Sequence, residues 1–198
     1  MKTNKLAYLL WSMIAGLISF LISGLISCYI IAYLNNYILA TIVSGGLGSF
    51  IFSILLMLKD KIIKLGFAGM IAMPVGLFVS FGLIEGVAFV FPSLSNLFEG
   101  SVLPDVFAVI LLAFVYALIV SLIAYGKKEM LLFALTSEII AIGFGFMVVA
   151  LNLNEEINES VISLLPFLSS LDLNFLTISI GLGTGLGLSH GIYSLGVI

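Results

Sequence analysis

The chain has 198 residues, 62% of them hydrophobic and 9% charged, with a mean hydropathy of +1.34. An ordinary soluble domain carries about 25% charged and about 45–50% apolar residues, so these figures exclude a soluble enzyme, a nucleic-acid binder with a basic face and a disordered chain. Seven lysines against ten acids leave a net charge of −3, but in a membrane protein the placement of charges says more than their sum. The composition fits an all-α, polytopic membrane protein. It is read as a single integral membrane domain over residues 1–198, with no room for a separate nucleotide-binding or catalytic domain.

A helix needs about 20 apolar residues to cross the hydrocarbon core, and six stretches meet that need. The first, 6–34, follows Lys2 and Lys5 and opens like a signal peptide. It is too long for one and no A-x-A cleavage site follows, so it is expected to stay as a transmembrane helix. Ser19, Ser23 and Ser27 give it a ladder of small residues, and the lone Cys28 reads as a small buried side chain. After Asn35-Asn36 comes 37–58, with Gly45 and Gly48. The cluster Lys59-Asp60-Lys61 precedes 65–91, where Pro74 is expected to kink the helix. Pro92 to Pro104 leads to 104–126, and Gly126-Lys127-Lys128 to 129–151. The segment from Asn152 to Asp172 is the only substantial loop; its Ile157, Val161, Ile162, Leu164 and Leu165 fit a short interfacial amphipathic helix. The last span is 173–197.

The lysines test this division. All seven fall at the N-terminus, in loop 2–3 or in loop 4–5, three places that share one side if there are six spans. Loops 3–4 and 5–6 carry Glu99, Asp105, Glu155, Glu156, Glu159 and Asp172 and no lysine. The positive-inside rule then puts both termini in the cytoplasm, in a plasma membrane expected to be prokaryotic.

The spans also repeat. Helix 2, from Asn36-Tyr37 to Ser49, and helix 6, from Asn174-Phe175 to Gly191, each begin with Asn and an aromatic residue and turn rich in Gly and Ser. Helices 3 and 5 both follow a short Lys-bearing turn. Hairpins 2–3 and 4–5 thus read as two copies of one unit, with helix 6 as the opening of a third and helix 1 without a partner. Gly181 and Gly185, and offset from them Gly183, Gly187 and Gly191, give two small-xxx-small ladders for close helix packing. Gly181 to Gly187 lacks the lysine of a phosphate-binding loop.

Three ionisable groups fall well inside spans: Glu85, Glu138 and His190. Glu138 lies ten residues past Lys128, or ~15 Å along a helix at 1.5 Å per residue. That is half of a ~30 Å core, where an acid costs on the order of 2.5–3.5 kcal/mol. Desolvation disfavours the charged form of a carboxyl, so reversible protonation is the chemistry to expect. His190 sits roughly 12 Å in from the same side and could pair with Glu138 if helices 5 and 6 adjoin; packing against a carbonyl or a serine is its other reading. Glu85 is only roughly 9 Å from the outer face and reads as secondary, able to snorkel to water.

Three stretches carry a family resemblance: Ala40 to Ser49, Gly126 to Phe146 and Leu173 to Gly191. With their Gly-rich helices, short polar turn and mid-membrane acid, they resemble the membrane-rotor proteolipids (c or K subunits) of V- and A-type rotary ATPases. The chain departs from that family in having few glycines in helix 4, unpartnered helices 1 and 6, and Thr136-Ser137 instead of Pro before the acid. The resemblance implies ion translocation without covalent catalysis. Glu138 would carry H+ or Na+, with His190 as a polar companion and Thr136 and Ser137 as the nearest hydroxyls; the scarcity of further oxygen ligands favours H+. It implies the lipid bilayer and other membrane subunits as partners, in a homo- or hetero-oligomeric ring, with no nucleic acid, cofactor or metal.

Three other readings compete. An integral solute-binding component, like the six-helix capture subunit of a vitamin importer, would use Glu138, His190 and Trp11 or tyrosines around a pocket. A rhomboid-type protease would pair Ser49 of Gly48-Ser49 with His190, although the chain order and surrounding motifs do not match. A structural subunit of a larger membrane complex would use every polar group for packing.

Overall fold

The computed structural model describes residues 5–90, 103–153 and 172–196. Among these residues six α-helices form: α1 (Lys5–Leu34), α2 (Tyr37–Leu55), α3 (Ile62–Val90), α4 (Leu103–Ala124), α5 (Met130–Leu153) and α6 (Leu173–Ser194), with a 3-10 turn at Lys59–Lys61. The bounds move by a few residues from the expected spans. Helix 2 stops at Leu55, and Ile62 to Lys64 join helix 3 as its first turn. Helix 6 ends at Ser194, before a turn at Gly196. Among the described residues five helices are long and apolar enough to cross a membrane, and α5 contributes a shorter apolar stretch, Met130–Ile140. The expected amphipathic helix of the 152–172 loop lies outside the described residues. Pro74 lies inside α3, which is assigned as one helix from Ile62 to Val90.

Local sequence explains where the helices begin and turn. The Asn36 side chain accepts a hydrogen bond from the Leu39 backbone N–H at 2.9 Å and caps α2. At α6 the cap is Asp172, which accepts from Phe175 N–H at 3.0 Å; the Asn174 of the repeat is already inside the helix. Each satisfies one of the orphan donors of a first helical turn. Between α1 and α2, Asn35 adopts φ 47°, and between α4 and α5, Gly126 adopts φ 104°. Asn is among the few side chains that visit the left-handed region readily, and Gly meets no Cβ penalty there.

The helices form a ring in chain order. Each packs on its sequence neighbours, and α6 returns to α1 in the most extensive contact of all. The two helices that the hairpin repeat leaves unpaired therefore pair with each other. Their register is antiparallel and steady: Leu9 meets Gly191, Ser12 meets Gly187, Gly16 meets Gly183 and Gly24 meets Ser179. A methyl group on Gly16 would run into the Gly183 carbonyl, and one on Gly187 into that of Ser12. Backbones touch here because there is no side chain to hold them apart. The two glycine ladders of α6 separate by face, since Gly183, Gly187 and Gly191 lie against α1 while Gly185 packs on Ser137 of α5; Gly181 is buried as well. Gly45 meets the Gly69 backbone to join α2 and α3, and Gly48 meets Phe20 and Ser23 of α1.

The inside and outside of this ring reverse the pattern of a soluble protein. Ser12, Ser19, Ser23, Ser44, Ser49, Ser53, Ser121 and Ser189 are all fully buried, while Leu10, Ile14, Ile22, Phe67, Phe78 and Leu135 face outward. An apolar belt of that extent requires lipid around it. Most of the serines return their hydroxyl to their own helix, as Ser12 does to the Tyr8 carbonyl (3.0 Å) and Ser80 to that of Gly76 (2.7 Å). They therefore act as small, self-satisfied residues.

These contacts set a stability contrast. Gly16→Leu is expected to lose about 1–3 kcal/mol or more through overpacking against α6. Gly82→Ala, where nothing lies within 4 Å of the added carbon, is expected to be neutral or to gain up to about 1 kcal/mol of helix propensity. Thermal unfolding of both variants in detergent checks the pair.

Candidate functional site

Ser189 fixes the height of both candidate residues. Its hydroxyl lies 2.7 Å from that of Thr136 and 2.9 Å from that of Ser137, and its single proton has the Gly185 carbonyl at 2.9 Å and the Phe133 carbonyl at 3.2 Å as alternative acceptors. Glu138 and His190 each follow directly after a member of this knot, so they lie at similar depth, as their positions in the sequence imply. At 100° per residue, however, they leave it in different directions. Thr136 and Ser137 face α6, and Leu135, Ile139 and Ile142 are exposed. Glu138 therefore falls on the flank of α5 turned away from α6.

The two residues are accordingly not a pair. Both carboxyl oxygens of Glu138 are buried with no hydrogen-bond partner. Thr136 and Ser137, the hydroxyls expected to serve it, are bound to Ser189 instead. Glu85 is exposed on α3 and Trp11 is exposed on α1, so neither joins a pocket with Glu138 or His190. The Ser49 hydroxyl is hydrogen-bonded at 2.7 Å to that of Tyr116, and His190 has other partners.

Those partners form a node joining most of the ring. His190 is 3% exposed, so its polar atoms require protein partners. Its Nδ1 lies 2.7 Å from the Tyr125 hydroxyl at the end of α4, and its Nε2 lies 3.2 Å from both the Tyr8 hydroxyl of α1 and Ser194 Oγ. A neutral imidazole donates from one nitrogen and accepts at the other, so the Tyr8–His190–Tyr125 chain can run in either direction by exchange of tautomer. Phe52 of α2 meets the imidazole edge-on at 5.8 Å. Tyr125 packs on Phe133 at 4.5 Å and on Tyr193 at 5.2 Å. Over the Tyr125 ring, 3.6 Å from its centre, stands the ammonium of Lys61 from the turn before α3, which is also 5.3 Å from the Tyr193 ring.

The node thus gathers the start of α1, the α2–α3 turn, the α4–α5 turn and the end of α6 at one end of the bundle. The first three of these are the places where the lysines lie. The sequence points to tyrosines around a pocket only in general and to Lys61 only as part of a basic turn; it does not single out Tyr8, Tyr125 or Tyr193. The available signal was the position of each tyrosine within a few residues of a basic span end, the usual place of interfacial aromatic anchors.

No protein-family model, curated protein or solved structure matches the chain.

The geometry separates the two roles of Tyr125. Tyr125→Phe keeps the ring but strands His190 Nδ1, at an expected cost of about 1–3 kcal/mol. Lys61→Met is expected to lose about 0.5–2 kcal/mol of cation–π attraction. In a double-mutant cycle read by unfolding in detergent, Tyr125→Phe and Lys61→Met should be additive within about 0.5 kcal/mol, whereas Tyr125→Leu and Lys61→Met should be strongly coupled.

Proposed function

We propose that the protein is a membrane-embedded transport subunit in which Glu138 takes up and releases a proton. One observation carries the reading: both oxygens of this intramembrane acid are buried and unpartnered. A carboxylate left so would forfeit its hydration with nothing in return, whereas the neutral acid avoids the charge penalty. Change of charge at Glu138 then requires water or a basic group from outside the bundle. The hydroxyls nearest in sequence are committed to Ser189, which leaves few oxygen ligands for a metal cation and favours H+ over Na+.

In its rotary form this reading makes the chain one member of a larger ring, related in function to the rotor proteolipids, with the outward flank of α5 passing a stator subunit. The α1–α6 closure favours a second form, in which the six-helix bundle is a complete unit that serves as a solute-binding or coupling component beside other subunits. There the His190 node, with its three tyrosines, would supply the polar end of a site.

Carbodiimide labelling of the detergent-purified protein tests the proton reading. Glu138 should be modified in preference to Glu85 and Glu129, labelling should fall as pH rises and the protonated acid is lost, and Glu138→Gln should abolish it. Labelling confined to Glu85 and Glu129 overturns the assignment. Native mass spectrometry of the same sample divides the two forms, since a ring of many copies supports the rotor and a single chain excludes it.

A further inference from the structure

On the outer surface, α2 and α3 touch at Gly45 and Gly69. Beside that contact lies a groove of about 600 Å³, within the usual 300–1,000 Å³ of small-molecule sites. Its walls are wholly apolar: Val43, Leu47 and Phe50 on α2, and Ile63, Phe67 and Met70 on α3. Gly46 and Gly66 also line it, Gly46 beneath the Met70 side chain. Phe50, Ile63, Phe67 and Met70 are exposed, so the groove opens sideways, where the apolar belt demands lipid.

Its ends differ in charge. From Met70 to Ile63 it runs seven residues along α3, or about 10 Å at 1.5 Å per residue, and ends at the basic turn. Ile63 lies two residues past Lys61 of the Lys59-Asp60-Lys61 turn, and Lys64 stands one turn before Phe67 on the same side of α3. Lys61 is drawn inward over Tyr125, which leaves Lys59 and Lys64, both exposed, beside Asp60. An apolar slot entered past two exposed lysines at the membrane surface suits one kind of molecule.

We infer that this groove binds an anionic phospholipid, with one acyl chain lying along Phe50, Phe67 and Met70 and the headgroup held at Lys59 and Lys64. Basic groups at an anionic membrane surface act in this way, and the groove adds a seat for the upper part of the chain. Gly46 is already covered by the Met70 side chain, whereas Gly66 leaves room beside Phe50. A side chain at Gly66 would fill the slot without a backbone collision, since its first carbon meets only Phe50 at 3.6 Å and the Gly46 carbonyl oxygen at 3.8 Å. This inference is independent of Glu138.

The test uses the full chain reconstituted in vesicles of phosphatidylcholine and phosphatidylglycerol, extracted gently and examined by native mass spectrometry. The parent protein should retain phosphatidylglycerol in preference to phosphatidylcholine. Gly66→Leu should remove the retained lipid, and Val43→Trp, which fills the slot from the other wall, should do the same if the first variant does not fold. Lys59→Gln and Lys64→Gln should each lower the preference for phosphatidylglycerol about fivefold, the fold-change equivalent of ~1 kcal/mol per basic group, while phosphatidylcholine retention stays unchanged. Undiminished phosphatidylglycerol binding in the slot-filling variants overturns the proposal. So does a dimer of the chain that those variants dissolve, because the groove would then be a helix-docking surface.

Discussion

The fold depends on the direct approach of two backbones, α1 and α6. Lipid offers no hydrophobic drive for helices to associate, because hydrocarbon tails solvate leucine as well as another helix does. Close contact must come from dispersion between atoms that can be brought near, and Gly16, Gly183 and Gly187 remove the side chains that would stand in the way. Because this contact joins the first helix to the last, it turns a linear series of hairpins into a ring. It also brings Tyr8 to His190. Opening it would face the buried Ser and Gly surface of α6 toward lipid and leave the imidazole short of a partner.

Closure imposes a second constraint, the satisfaction of polar groups inside. Hydroxyls are cheap to place there because most bond to a carbonyl one turn back. A few instead link helices that are not neighbours in the ring. Ser44 of α2 reaches Ser179 of α6 at 3.0 Å, and Ser49 of α2 reaches Tyr116 of α4 at 2.7 Å. Such bonds orient helices whose apolar surfaces alone would fit in several rotations. Ser27 and Glu138 are the described exceptions, with buried oxygens and no partner. For a serine the penalty is modest, whereas for an acid it sets which protonation state the bundle tolerates.

The sequence was most informative where a regular physical rule applies. The six stretches emerged from the length needed to span a bilayer, and the lysines marked the turns that the structure gathers at one end around Lys61, Tyr125 and Tyr193. The two ladders of α6 were readable from spacing, although not which helix each would meet. Depth was readable too: Glu138 and His190 do lie near one height. Azimuth was not, because it depends on which helix neighbours which, and the α1–α6 closure is a long-range choice that no local pattern encodes. The same ignorance hid the tyrosines. Tyr8 and Tyr125 lie 117 positions apart in the chain, and only the ring brings both to one imidazole.

The outcome is an asymmetry between the two intramembrane groups. His190 lies inside the node, held on both nitrogens and ringed by Phe52, Tyr125 and Tyr193, so change there must begin at the end of the bundle, where the Lys61 turn packs across the Tyr125 ring. Glu138 lies on the helix flank turned away from α6, with both carboxyl oxygens buried and unpartnered. A ring closed on itself with its unpartnered acid on the flank is therefore built to be acted on sideways. On the proposed proton-carrying reading, the occupant of that flank, more than anything within the bundle, would decide when the carboxyl carries a charge.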